Sequence, residues 1–365
     1  MMTLRKKLIC LGISRVRTSS VAGLSVGTMV LLLGAASTIT MAAGSRTATS
    51  TTAYCSSTAD MMYTACGSQI VDDYWTASAK CLNLSENQER SACQNDAAAE
   101  RTAGQDLCNG QRAARLEACS LLGEARYDPE IDPIDFDSDY THLSNPNPYF
   151  PLTIGNRWEY RTSTEFNTVE ILNHTKLIDD ITCIVALDQV FTGGDLTEKT
   201  NDWFCQKKDS TVWYFGEETA ELESFDGDIP RLPEIVTIDG SFKADRDNDK
   251  GGIIFLASPK KDDAYYEEFS LGNAEDITVV LSVAYKYGSD RDLDRHVPRS
   301  LAELFCSSSD CVVTRNTSQL EPGAVDRKYY AKGIGVFLEV SLDTKVATPL
   351  TGCNFDPRCA QLPVH

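Results

Sequence analysis

Two periodicities of apolar and polar residues divide the chain into a helical part and a β-rich part. Between residues 53 and 125, cysteines recur at helical spacing among strong helix formers such as residues 97–101. From Tyr149 onward the period becomes strand-like, and in the run 277–287 the odd-numbered positions form the more apolar face. We therefore predict an α+β, multi-domain protein in which a helical segment precedes an antiparallel β-rich domain.

Six cysteines of the helical part lie symmetrically about Asn87, with successive spacings of 11, 15, 12, 15 and 11 residues. At about 100° per residue, steps of 11 and 15 residues rotate a helical position by only about 20° and about 60°, so each arm presents its cysteines on one face. An antiparallel helical hairpin folded at Asn87 would stack them as nested disulfides. Only the symmetry favours this pairing over the other pairings that six cysteines allow. The segment has no CxxC and no histidine, which argues against a metal cluster. The nested pairs are Cys55 with Cys119, Cys66 with Cys108, and Cys81 with Cys93.

Turn residues place several hairpins in the β-rich part. A Thr-Gly-Gly-Asp turn at 192–195 and a Pro-Gly turn at 322–323 each predict a pair of antiparallel strands. A third short turn lies at 208–210, and only residues 298–305 have a helical pattern. The pattern leaves open whether the sheet is a curled sheet, a half-barrel or a sandwich.

Six further cysteines follow in the β domain. The first two lie at equal distances on either side of Gly194, so a hairpin that turns there places them opposite each other across two strands. The other four would close two short loops, which contribute less through chain entropy than long loops do. Rearranged pairing among the six is the alternative. The expected pairs are Cys183 with Cys205, Cys306 with Cys311, and Cys353 with Cys359.

The N-terminus has the pattern of a secretory signal. Five basic residues precede an apolar stretch at 21–36, and Ala42-Ala43 supplies the small residues that signal peptidase prefers. We expect cleavage near Ala43, with an uncleaved membrane anchor as the alternative. Cys10 would leave with the signal, and 12 of the 13 cysteines would remain, an even number that suits an oxidising compartment.

These features divide the chain into six segments. They are a signal peptide at 1–43, a flexible segment at 44–52, a cysteine-rich helical hairpin at 53–125, an acidic, proline-rich linker at 126–148, an antiparallel β domain at 149–345, and a C-terminal tail with a disulfide at 346–365. We expect the linker to be a solvated spacer.

Charge limits the possible partners. The formal net charge is −19, and removal of the first 43 residues, which hold five basic and no acidic side chains, takes it to −24. Such a surface repels nucleic acid and anionic membranes. We therefore expect no nucleic-acid partner, no integral membrane span after cleavage, and an unknown envelope protein or small ligand as the partner.

One stretch has the pattern of a metal site. Asp245, Asp247 and Asp249 alternate before a glycine, as carboxylates do in calcium loops, because Ca²⁺ prefers about six to eight oxygen ligands. The sixth position of the loop is Lys250 rather than glycine, and the twelfth is Leu256 rather than glutamate. A structural Ca²⁺ site is therefore one reading, and an acidic turn without an ion is the other.

No catalytic motif elsewhere is convincing: residues 23–27, GLSVG, fit the nucleophile-elbow pattern but lie within the predicted signal sequence. HExxH does not occur, and a zinc site or a Ser-His-Asp triad would need most of the four histidines, His142, His174, His296 and His365, to converge. The carboxylates are too numerous for a glycosidase acid and nucleophile to be singled out. We name no catalytic and no cofactor-binding residue and favour a protein that is not an enzyme.

Several motifs of the β domain carry a resemblance. Residues 147–160 read NPYFPLTIGNRWEY, and DWF, VWYFGE and KYYAKGIG follow at 202–204, 212–217 and 328–335. From about 145 to 340 the chain resembles a broad group of exported bacterial proteins without an assigned function, whose YFPL-x-x-G-N-x-W-x-Y β domain follows a cysteine-rich helical segment. The resemblance implies a periplasmic, outer-surface or secreted protein and carries no catalytic residue across. We expect its aromatic residues to form the core, with an aromatic ligand cleft as the alternative.

Three classes of function remain. We favour a non-catalytic protein whose β domain binds a partner or ligand while the disulfide-stabilised helices form a stalk. A carboxylate-dependent hydrolase in the β domain is the second hypothesis, and a structural or oligomerisation component of a surface assembly is the third. A cleft with convergent polar groups favours the second, and an exposed apolar stripe on the helices favours the third.

Overall fold

The computed structural model describes residues 53–362, which form three α-helices and fourteen β-strands. The predicted signal peptide at 1–43 and the flexible segment at 44–52 lie outside the described residues. The helices are α1 (Tyr54–Cys81), α2 (Asn87–Leu122) and α3 (Arg299–Phe305). The strands are β1 (Arg157–Arg161), β2 (Glu165–Ile178), β3 (Ile181–Thr192), β4 (Asp195–Gln206), β5 (Val212–Glu223), β6 (Glu234–Thr237), β7 (Phe242–Lys243), β8 (Lys250–Phe255), β9 (Ala264–Ser270), β10 (Ala274–Tyr285), β11 (Cys311–Ser318), β12 (Val325–Ala331), β13 (Gly335–Ser341) and β14 (Ala347–Cys353).

Disulfides cross-link the two long helices. Residues 82–86 join α1 to α2, and the three bridged cysteine pairs have Cα–Cα distances of 5.6, 5.8 and 5.6 Å. Gly104 of α2 lies against Ile70 of α1, where an added Cβ would lie 2.3 Å from Ile70 Cδ1. The absence of a side chain at this glycine therefore lets the helices approach closely. The bridges Cys55–Cys119, Cys66–Cys108 and Cys81–Cys93 confirm the nested pairing.

The β domain is one antiparallel sheet that closes on itself. Around the ring, β1 to β5 are followed by β8 to β14, and β14 pairs with β1 as well as with β13. The described residues thus form a closed barrel of twelve strands, whereas we had expected a curled sheet, a half-barrel or a sandwich. Both β6 and β7 pair with β5, in an insertion that leaves the ring between β5 and β8.

Closure of the barrel corrects the predicted C-terminal boundary. The segment 346–365 was expected to be a tail, but it contains β14, and Trp158 of β1 lies opposite Cys353 of β14. Each antiparallel edge strand leaves a row of backbone N–H and C=O groups without partners, and this pairing satisfies two such rows at once. The β domain therefore includes Cys353, and Cys359 and Leu362 beyond it also pack in the core of the barrel.

The predicted linker, residues 126–148, is part of the folded domain rather than a solvated spacer. Its Phe136 is buried and makes edge contacts with the rings of Trp213 and Phe215 on the outer face of β5. Asp137 is also buried, and it accepts a hydrogen bond of 2.6 Å from the hydroxyl of Ser144. The apolar residues between the prolines explain the difference, because they cover barrel surface that would otherwise face water.

The remaining turns and disulfides of the β domain agree with the sequence. Strands β3 and β4 meet at residues 193–194, and β11 and β12 are joined through the turn at 321–324. The helix expected at 298–305 is α3. None of the helices in the described part of the chain is both long and apolar enough to cross a membrane. Three further bridges have the expected partners: Cys183–Cys205, Cys306–Cys311 and Cys353–Cys359.

Large aromatic side chains fill one half of the barrel interior. The indole N–H of Trp158 donates to the carbonyl of Ile334 at 2.6 Å, and the hydroxyl of Tyr160 donates to the carbonyl of Val336 at 2.9 Å. Both donors are on β1 and both acceptors lie at β13, so the bonds reach past the intervening β14. The prediction that the aromatic residues of the motifs form core is confirmed for Trp158, Tyr160, Trp203, Trp213 and Tyr214, which are all buried.

Strand β10 is buried on both faces over part of its length, rather than only on its more apolar face. Thr278 and Val280 on the less apolar face are fully buried, as are Ile277 and Tyr285 on the more apolar face, whereas Val283 is exposed. The reason is closure: both faces of a barrel strand can be covered, the inner one by the opposite wall and the outer one by packed segments. A polar side chain can therefore lie inside if it finds hydrogen-bond partners there.

The helical pair packs against the barrel through a buried ion pair. Arg115 of α2 donates two hydrogen bonds of 2.7 Å to the carboxylate of Glu275 on β10, and both side chains are about 5% exposed. Gln111, one turn earlier on α2, donates to the carbonyl of Leu320 at 3.0 Å. These contacts fix the position of α2 relative to the end of the barrel.

Candidate functional site

The second half of the barrel interior is polar and strongly acidic. Besides Glu275, which pairs with Arg115, nine carboxyl side chains on strands β3, β4, β5, β9, β10, β12 and β13 are at most 7% exposed. Lys328 on β12 is buried among them, with its Nζ 3.9 Å from Oε2 of Glu267. An excess of buried negative charge is costly, so the interior must hold protons on some of these groups. The nine are Asp188, Glu198, Asp202, Glu217, Glu267, Glu268, Asp276, Asp326 and Glu339.

A tyrosine bridges two of these carboxyl groups. The hydroxyl of Tyr214 lies 2.6 Å from Oδ1 of Asp202 and 2.8 Å from Oε2 of Glu217. A phenol has a single proton to donate, so either the two carboxyl oxygens share that proton in a bifurcated hydrogen bond or one carboxyl group donates its own proton to the phenol oxygen. The hydroxyl therefore links Asp202 and Glu217 into one hydrogen-bonded group.

The side chain of Asn316 organises a hydrogen-bond network on the wall formed by β9, β10 and β11. The side-chain amide of Asn316 donates to Oε1 of Glu267 and to the hydroxyl of Thr278, both at 2.7 Å. Its oxygen accepts a hydrogen bond of 2.7 Å from the hydroxyl of Thr314. This network joins β9, β10 and β11 and orients Glu267 toward the interior.

Glu268 and Asp276 form a close carboxyl pair. They lie directly opposite each other in the β9–β10 register and are buried. Burial, reinforced by neighbouring carboxylates, raises the pKa of Asp276 to about 8 and holds the pKa of Glu268 well above its usual range. Among the described residues neither Glu268 Oε1 nor Asp276 Oδ2 has a hydrogen-bond partner. The pair therefore retains a proton at neutral pH.

A pocket of about 450 Å³ opens at the rim where β1 turns into β2 and β3 turns into β4. Its lining includes Arg161, whose guanidinium carbon lies 3.9 Å from the centre of the Phe166 ring, and Glu165. Partial burial and the nearby Glu198 raise the pKa of Glu165 to about 7. The pocket thus combines one cation with a carboxyl group whose charge changes near neutral pH.

The insertion between β5 and β7 concentrates exposed apolar side chains. Six large ones between residues 225 and 238, called here the apolar insertion, are 41–97% exposed. Arg231 in its middle donates hydrogen bonds of 3.0 and 2.7 Å to Asp195 at the β3–β4 turn and one of 3.2 Å to Asp226. The insertion is therefore held against the barrel rim although its apolar residues face water. The six are Phe225, Ile229, Leu232, Ile235, Val236 and Ile238.

The predicted calcium loop forms the turn between β7 and β8. The backbone N–H of Asp245 donates to the carbonyl of Asp249 at 3.0 Å, and Asp247 adopts a left-handed conformation. Within residues 53–362, no group of three or more histidine, cysteine or acidic side chains is arranged to hold a metal ion. The three carboxylates are thus not preassembled, and Ca²⁺ binding stays a prediction.

The histidines contribute no clustered site in the described chain. His142, His174 and His296 are exposed, as expected for surface residues, and His365 lies outside the described residues.

Sequence reasoning missed both the acidic interior and the apolar insertion. The interior carboxylates occupy ordinary strand positions, and nothing in their spacing distinguishes them from residues that face water. The insertion is detectable in the sequence, since residues 229–238 interleave four large aliphatic residues and a valine with two prolines and one glutamate, outside any strand alternation. Such a stretch would be expected to be buried, and its exposure is visible only in the structure.

Comparison of the chain with family models, with curated proteins and with solved structures gave no match. The geometry of the barrel and its insertion is therefore the main guide to function.

Proposed function

We propose that the protein is an exported, non-catalytic binding protein of a bacterial envelope or its surroundings. In this proposal the closed barrel is a rigid scaffold, the disulfide-linked helices form a hairpin stalk, and a partner protein is recognised at the apolar insertion. Six disulfides within residues 53–362 support an oxidising compartment, where such bonds persist. The resemblance of the β domain to exported bacterial proteins supports the same location.

The observation that carries the proposal is the exposure of the apolar insertion. Contiguous exposed apolar residues rimmed by polar ones are typical of protein interaction sites. Ile229 is 97% exposed and Leu232 is 60% exposed, while other aromatic and aliphatic side chains fill the core of the barrel. Because the Arg231 contacts hold the insertion in place, a partner would not have to order it, and binding would cost less conformational entropy.

Site-specific photo-crosslinking in the producing cells tests the proposal. A photoreactive residue at Ile229 should give a discrete cross-linked species, and the triple variant L232S/I235S/I238S carrying the same probe should lose it. Leu177, which is 67% exposed near the end of β2, is the matched control position and should give none. Equal cross-linking from Leu177, or retention in the triple variant, would overturn the proposal.

A carboxylate-dependent hydrolase is the second candidate, favoured by the Tyr214-bridged pair and by the raised pKa of Asp276. Against it, these groups are almost fully buried, so a substrate would need the barrel to open. A panel of chromogenic glycosides and esters separates the candidates. Turnover by the purified protein that is abolished in D202N would replace the binding proposal.

A further inference from the structure

Strand β6 offers an open hydrogen-bonding edge at the rim of the barrel. In the described chain β6 pairs with the end of β5 and with no other strand. After β6 the chain returns to the rim, where the N–H of Gly240 and the carbonyl of Ser241 bond to the side chain of Asn273. The base of the insertion is thereby fixed while the outer edge of β6 faces solvent. An open edge of this kind is a template for an added strand.

The two faces of the β5–β6 ribbon differ in chemistry. Leu222 is paired with Ile235, and Glu223 is paired with Glu234. Directly paired residues lie on the same face and adjacent residues lie on opposite faces, so at these two pairs, before the register shift toward Thr237, one face is apolar and the other carries two carboxylates side by side. Ile235 and Glu234 are both exposed. Like charges in a direct cross-strand pair are destabilising, and a cation placed between them would relieve the repulsion.

We propose that β6 accepts an extended partner segment in which basic and apolar residues alternate, added to the sheet as its next strand. Backbone hydrogen bonds to β6 supply the register. The apolar residues of the partner lie on the Ile235 face, and its basic residues lie beside Glu223 and Glu234. This inference names the partner for the proposed function and rests on it.

Charge disfavours a second copy of this chain as the occupant. Pairing two β6 edges would bring four carboxylates of Glu223 and Glu234 onto adjoining strands, in a chain whose net charge is already −19. A basic, alternating segment instead neutralises the edge.

Fluorescence anisotropy with the full chain tests the inference, using synthetic peptides as probes. A labelled peptide of alternating lysine and valine should bind, and binding should weaken with added salt. A peptide of the same composition with its lysines in one block should bind at least about tenfold more weakly, because its side chains cannot match both faces. An alternating peptide with N-methyl groups along one edge should show a similar loss, since it cannot donate to β6.

Paired variants of equal charge complete the test. E223K/E234K should weaken binding of the alternating peptide at least about tenfold, whereas E100K/E117K on the exposed face of α2 should leave it unchanged. Equal binding of the blocked or N-methylated peptide, or equal loss in both variants, would show attraction by charge alone and overturn the inference. A dimer detected by light scattering and dissociated by E223K/E234K would also overturn it, in favour of a second copy. If the parent chain does not bind the alternating peptide but still gives the cross-linked species from Ile229, this inference is refuted while the proposed function stands.

Discussion

The buried carboxyl pair makes a quantitative prediction about stability and pH. The pKa of Asp276 is raised from 3.8 to about 8 by burial and by neighbouring carboxylates, chiefly Glu267. When the pH lies between these two pKa values, the folded protein keeps a proton on Asp276 that the unfolded chain has released. A group that binds more protons in the folded state makes stability fall as pH rises, and for one proton the slope is about 1.4 kcal/mol per pH unit. This contribution to stability is complete at pH values below the pKa of Asp276 in the unfolded chain and is lost as pH rises to its pKa in the folded protein.

The substitution D276N removes the titrating group while keeping its shape. We expect the free energy of unfolding of the variant to fall less steeply between about pH 5 and pH 8, by up to about 1.4 kcal/mol per pH unit relative to the parent. Ser318, which hydrogen-bonds Asp276 in the folded protein, can also bond an asparagine, so the fold should persist.

Urea unfolding followed by tryptophan fluorescence, with the disulfides intact, measures these slopes. D180N is the matched control, because Asp180 is exposed in the β2–β3 turn and the substitution removes the same formal charge. The control should keep the slope of the parent. If D276N and the parent show the same slope, Asp276 does not carry the proton, and the reasoning about the interior is refuted.

Three further predictions follow from other contacts. R115A should destabilise the protein by about 3–5 kcal/mol and loosen the helical pair from the barrel, because it leaves Glu275 buried without its cation. The double variant R115M/E275L removes both charges and should recover most of this loss in the same urea unfolding experiment. R231A should speed amide hydrogen exchange in the apolar insertion and leave exchange in the barrel strands unchanged; faster exchange throughout would contradict a local role for the Arg231 contacts. Calorimetry with millimolar Ca²⁺ should give heat and raise the melting temperature if the turn at 245–249 binds the ion, and no response would refute the calcium prediction.

Local signals predicted the elements and the covalent links well. The mirror of cysteines about Asn87 predicted three bridges, because residues equidistant from the turn between two antiparallel helices lie opposite each other. The turn around Gly194 predicted the Cys183–Cys205 bridge for the same reason within a hairpin. Both inferences depend only on spacing and on the geometry of one element pair.

Pairing between strands that are distant in sequence could not be predicted from these local signals. The linker and the supposed tail were predicted to be exposed because their prolines and charges are typical of spacers. In the structure Phe136 packs on the outer face of the barrel, and strand β14 closes the ring. Whether a short polar segment packs depends on the apolar surface that it meets, and that surface is assembled from strands distant in sequence.

The sequence alone predicted a helical segment, several β-hairpins and the favoured cysteine pairs, and it established the acidic character of the chain. The tertiary structure alone decided that β1 and β14 meet, and with that which strand faces lie inside. In an open sheet the polar positions of β9 and β10 would face water, and Glu268 and Asp276 would be ordinary surface carboxyl groups. Closure of the barrel turns the same positions into a low-dielectric interior, where the cost of burying charge changes their protonation.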